Sequence, residues 1–135
     1  MFHAATMNDG PRTASGRLVD PHAQEWERLY ATFTHLSLLG AHIFIPVIPA
    51  LVMWLIKREK SPFLDDHGRE AVNFQISLVL YAVIIIPILG LLTCAVGWLL
   101  YLPLYVLGLV GMIKAAMAAN RGEYFRYPAT IRFLH

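Results

Sequence analysis

Charged side chains fall in three clusters, Asp9 to Arg28, Lys57 to Glu70 and Lys114 to Arg132, and the stretches between them are almost wholly apolar. Leu29 to Ile56 has no Asp, Glu, Lys or Arg in 28 residues, and Ala71 to Ile113 has none in 43. A bilayer-spanning helix needs roughly 20 mostly apolar residues. The pattern therefore predicts an all-α, polytopic membrane protein. As one helix the 43-residue run would be about 64 Å long, twice the hydrocarbon thickness, so it has to fold back. Pro87, Gly90 and Gly97, with Thr93 and Cys94 between the glycines, place the reversal near Leu92–Gly97. One helix then runs from about Pro62 to Leu92 and another from about Trp98 to Asn120. Ser61 can cap the first, Pro62 suits its first position, and Asp65 and Asp66 lie where the macrodipole favours acids. Asn120 and Gly122 mark the end of the second.

The first apolar stretch reads in two ways. As one pass it covers about His35 to Ile56, kinked at Pro46 and Pro49. As two short passes it covers about Ala23–Gly40 and Phe44–Lys57, reversing near Gly40–Ile43. Four passes put all three charged clusters on one face, as the positive-inside rule prefers. Three passes leave the N-terminal cluster alone on the far side, a modest violation because that cluster is net −1. The expected architecture is a four-helix transmembrane bundle with a short first hairpin, three spans being the alternative. Trp26, Leu29, Tyr30, Phe33 and Leu36 share one helical face, and Glu25, Arg28, Thr32 and His35 another. That amphipathic helix either faces the bundle or lies in the headgroup plane.

Composition agrees with the pattern. Hydrophobic residues make up 57% of the 135 and charged residues 15%, against roughly 45–50% and 25% in soluble domains. These values argue against a disordered chain, a coiled coil and a soluble enzyme domain. The lone Cys94 excludes an internal disulfide and reads as a small hydrophobe. A net charge of +2 is too small for a nucleic-acid footprint. The chain divides into a disordered cytoplasmic tail (1–22), a transmembrane helical domain (23–120) and an interfacial aromatic and basic tail (121–135).

Some runs resemble a known family. They are His35-Leu-Ser37, the stretch from Trp54 to Ser77 with His67, Ala71, Asn73, Phe74 and Gln75, and the ending from Asn120 to Phe133. Together they resemble a family of small prokaryotic membrane proteins related to Tic-twenty, the chloroplast inner-envelope import component. The resemblance covers about 100 residues from Thr34 onward. The first hairpin departs from it, reading Ile45-Pro-Val-Ile-Pro-Ala50. It implies four helices in the inner membrane, both ends cytoplasmic, and no established activity.

Polar groups within a membrane are costly, so each invites an explanation. His67, Glu70, Asn73, Ser77 and Tyr81 step by three or four along one face of the second long helix. With His35 and Gln75 they form a candidate buried polar cluster. It would hold helices together or line a groove for a substrate or ion. His67 and Glu70 share a face, but a metal site needs three or four ligands and no second pair exists, so neither a metal nor a cofactor is expected. His35 would face Ser77 or Tyr81 across the bundle, with Asn73 and Gln75 one turn nearer the cytoplasm. His42 would sit at a far-side turn. Gly108, Gly111, Ala115 and Ala119 form a small-residue stripe on the last helix, suited to close packing inside the bundle or to a homo-oligomer contact. Gly97, at a turn, would tolerate a larger side chain better than Gly108 or Gly111. Pro103 would kink the helix, Lys114 would snorkel, and the Tyr124–Phe133 aromatics and arginines would suit the headgroup zone.

No phosphate loop, nucleophile elbow, zincin motif or Cys-x-x-Cys is present. Three classes remain: a structural or translocation-related membrane subunit without catalysis, a small oligomeric pore or carrier, and a membrane enzyme using His35 or His67 and Glu70. Expected partners are the lipid bilayer and other membrane proteins or further copies, with no nucleic acid.

Overall fold

The computed structural model describes residues 10–42 and 45–135, the side chains of Ala41 and His42 excepted. The expectation for His42 and part of the Gly40–Ile43 reversal lie outside that range. The fold is all-α, with four helices: α1 (Glu25–Leu36, continued as a 3-10 helix over Ser37–His42), α2 (Ile48–Lys57), α3 (Pro62–Leu92) and α4 (Val96–Asn120). The Glu27 carboxylate caps α1 by accepting from the Gln24 N–H at 2.7 Å. Ser61 caps α3, its hydroxyl accepting from the Leu64 N–H at 3.2 Å.

α3 and α4 are long and apolar enough to cross a membrane. At 31 and 25 residues they measure about 46 and 37 Å, against a hydrocarbon core of roughly 30 Å. α2 has ten residues, about 15 Å, and does not reach that length. The first hairpin is thus shorter than a pair of full spans.

Pro87 lies inside α3 and has no N–H to give the preceding turn. A π-helical segment, Tyr81–Ile85, sits just before it and accommodates the missing bond. Pro103 does not interrupt α4. The helix begins as 3-10 over Val96–Leu100, and Pro103 falls in the first α turn, where a missing N–H costs little.

α1 packs mainly against α4 and also on α3, whereas α2 packs on α3 alone among the long helices. Three small apolar clusters result. Phe74 meets Ala115, Ala118, Phe125 and Tyr127; Ala31 meets Phe63, Leu64 and Ala119; Ala50 meets Trp54, Ala71 and Val72. The small-residue stripe of α4 is buried within this packing. Gly111 lies against Phe74 and Tyr127, and Ala119 against Ala31 and Phe63.

The N-terminal stretch read as a disordered tail is docked on the C-terminal one through residues 17–20. Leu18 C=O accepts from Tyr124 N–H at 2.9 Å, and Gly122 C=O accepts from Asp20 N–H at 2.9 Å. Arg17 pairs with Glu123 at 3.2 Å.

The α3–α4 turn corrects the expectation for Gly97. Cys94 and Ala95 take the left-handed conformation (φ 50° and 80°), and Gly97 folds tightly onto α3. A Cβ there would lie 2.5 Å from the Leu89 carbonyl carbon, whereas at Gly108 it would meet the side-chain ends of Leu78 at 3.3 Å and Leu38 at 3.8 Å. Backbone cannot yield as a leucine tip can. Gly97→Leu should therefore have the lowest detergent melting temperature of Gly97→Leu, Gly108→Leu and Gly111→Leu, its destabilisation exceeding the roughly 1–3 kcal/mol typical of overpacking. A Gly97→Leu protein melting with Gly108→Leu would contradict the geometry.

Candidate functional site

The polar face of α3 is covered by the C-terminal tail. After Asn120, Gly122 (φ 74°) ends α4, and the chain continues without helix or strand along α3. Glu70 is buried and accepts from the Tyr127 N–H at 3.1 Å and from Arg132 Nε at 2.9 Å. Tyr81 donates its hydroxyl to the Ala129 carbonyl at 2.5 Å. The tail turns at Ala129 (φ 55°) and returns. Ser77 Oγ accepts from Ile131 N–H at 2.8 Å and donates to the Asn73 carbonyl at 2.8 Å. Asn73 Oδ1 accepts from the N–H groups of Phe133 and Leu134 at 3.1 and 2.9 Å, and its Nδ2 donates to the Leu134 carbonyl at 3.0 Å. One amide side chain thus gives Leu134 both bonds that a neighbouring β-strand would supply.

His35 does not face Ser77 or Tyr81. It is buried between His67, whose Nδ1 is 2.9 Å from its Nε2, and Tyr127, whose hydroxyl is 2.8 Å from its Nδ1. The expectation took distance along each helix as depth, but the side-by-side packing of α1 sets His35 level with His67, at the start of α3. Burial and the nearby Glu70 carboxylate hold the Tyr127 phenol well above its ordinary range, so it keeps its proton. Each of the two contacts holds one proton, and its direction follows the tautomers of the two rings. His67 Nε2 is buried without a hydrogen-bond partner. The rings pack edge to face at 5.1 Å, and Tyr124 stacks on His67 at 6.0 Å.

Gln75 stands apart from the stripe. Its Nε2 donates to Ser37 Oγ at 3.3 Å, tying α3 to the 3-10 extension of α1, and its Oε1 is buried without a partner. The sequence reading brought His67, Glu70, Asn73, Ser77 and Tyr81 onto one face but missed what meets them. Tyr127, Arg132 and the main chain of 127–134 are those partners. Arg126 forms a two-pronged pair with Asp66 at 2.7 and 2.6 Å. The available signal was the stripe itself, since five polar side chains beside an apolar run require matching groups. Among the described residues no group of three or more His, Cys, Asp or Glu could hold a metal ion. The geometry is that of a hydrogen-bonded clasp.

Removing one side of the clasp should free the tail. Asn73→Leu keeps the size but deletes the acceptor of two N–H groups and the donor to Leu134. Amide exchange at Ile131–Leu134 should rise and stability fall by about 1–3 kcal/mol, with the helix content of α3 unchanged. Unchanged exchange at those amides would show that the clasp does not hold the tail.

Residues 26–134 match the MamF/MmsF family, described as the magnetosome magnetite crystal formation protein family. No curated protein and no solved structure matches the chain. The family match overturns the resemblance to Tic-twenty relatives. The runs that carried it are the capped start of α3 with its stripe and the tail that pairs with it, so they report this packing and not an import lineage. With four-fifths of its length matched, the chain belongs to the magnetosome magnetite crystal formation protein family.

Proposed function

We propose that the protein is a structural subunit of the membrane in which magnetite crystals form, with no catalytic role of its own. α3 and α4 cross the bilayer, and the α1–α2 hairpin enters it part-way. One observation carries this reading: only 22% of the most apolar window of each long helix is buried within the protein. The core helix of a soluble protein would be mostly covered. Here Val83, Ile84, Ile88, Leu91, Leu99, Leu102 and Val106 form an exposed band, which needs lipid or other membrane proteins around it. The polar groups of α3 are engaged by the tail, which favours a structural role over a pore or an enzyme. Carbonate-washed magnetosome membranes should retain the protein, and its deletion should change crystal size or shape. Release into the wash would overturn the membrane reading.

In this reading the N-terminus, the Lys57–Glu70 loop and the C-terminus lie on the cytoplasmic side, because all 20 charges sit in three clusters at that end. The exposed Cys94, in the opposite turn, is a built-in probe. An impermeant maleimide should label Cys94 only from the side opposite to Ser15→Cys and Ser61→Cys, the latter two tested in a Cys94→Ala background. Opposite-side labelling of Ser15→Cys and Ser61→Cys would sink the topology.

A further inference from the structure

A cavity of about 790 Å³ lies between the end of α2, the start of α3 and the end of the tail. Trp54, Phe133 and Leu134 supply apolar wall, while Arg58, Glu59 and Arg69 bring charge, with Asp65 and His135 completing it. Its volume is in the usual range for a small-molecule site. The charges are unequally engaged. Asp65 accepts from the Trp54 indole at 2.9 Å and pairs with Arg69, which leaves further guanidinium donors of Arg69 unspent. Arg58 makes no ion pair among the described residues. Its guanidinium lies over the Trp54 ring at 5.4 Å, a floor that the Asp65 bond keeps in place. Glu59 also makes no ion pair among the described residues. No ion pair joins Arg58 to Glu59 among the described residues. The wall therefore presents a cation and an anion, separated and each unanswered.

We propose that this cavity holds the headgroup of an aminophospholipid. The phosphate sits on Arg58 and Arg69, and the primary ammonium donates to Glu59. The glycerol region rests on Trp54, Phe133 and Leu134. The location fits, because the cavity lies where the charged Lys57–Glu70 loop gives way to apolar helix. From there the exposed Val52, Leu55 and Ile56 of α2 offer a track for acyl chains. A choline headgroup lacks N–H donors for Glu59, and a glycerol headgroup lacks the cation. The inference rests on the membrane reading above.

Native mass spectrometry of the full chain, released from bilayers of equal phosphatidylethanolamine, phosphatidylcholine and phosphatidylglycerol with matched acyl chains, tests it. Phosphatidylethanolamine adducts should exceed each of the others about tenfold, a difference of roughly 1.4 kcal/mol. Arg58→Gln should remove that excess, and Glu59→Gln should bring phosphatidylethanolamine down to the phosphatidylcholine level. Lys114→Gln, a cation away from the cavity, should leave the ratios alone. Arg58 and Glu59 are exposed, and unchanged melting temperatures would confirm that the variants fold. Equal retention of the three lipids overturns the inference, as does a preference for phosphatidylglycerol or an unchanged ratio in Glu59→Gln. Displacement by millimolar phosphoethanolamine would assign the cavity to a soluble ligand and overturn the lipid as its occupant. Absence of every lipid adduct, together with release by carbonate, would instead remove the membrane reading.

Discussion

A polar group that leaves water must find a partner inside the protein, and two parts of this chain have that need in complementary form. The stripe of Glu70, Asn73, Ser77 and Tyr81 is a row of side-chain donors and acceptors on a helix bound for an apolar setting. The tail from Tyr127 to Leu134 forms neither helix nor strand, and such a backbone leaves N–H and C=O groups unpaired within itself. Apart, each would be costly; together they satisfy one another in register. Tyr127 and the two histidines add α1 to the same junction. Order in the tail, in α1 and in the first half of α3 is therefore coupled, as expected of a hydrogen-bond network out of water.

Helix ends were legible because they depend on local chemistry. Ser61 and Pro62 announced α3, the glycines announced the turn, and the charge gaps set the lengths. The stripe was legible too, since helical periodicity alone puts those residues on one face. Their partners were not. Periodicity gives a side chain's direction but neither its depth nor its neighbour, so His35 was set opposite Ser77 and not His67. The tail carries no period, because its contribution is main chain, which every sequence possesses. Gly97 reads as an ordinary turn glycine, and only the packed hairpin reveals that its missing Cβ lets two backbones touch.

Family membership places the chain among proteins of magnetite formation, and the distribution of its polar chemistry bears on how such a protein acts. Carboxylates, guanidiniums and imidazoles gather at one end of the described structure and largely engage each other there. At the opposite end, the turn Thr93–Gly97 offers a hydroxyl, a thiol and main-chain groups as its polar chemistry. If that end faces the crystal, as the proposed topology has it, this chain contributes through the membrane it helps build and not through a carboxylate surface held against the mineral.

That uncharged turn also bears on how the protein enters its membrane. Moving one elementary charge across a potential of 100 mV involves about 2.3 kcal/mol of electrical work. The stretch from Ala71 to Ile113 has no Asp, Glu, Lys or Arg, so the field does almost no work on the turn as it crosses. On the proposed topology, the membrane potential therefore contributes almost nothing to the placement of the α3–α4 hairpin.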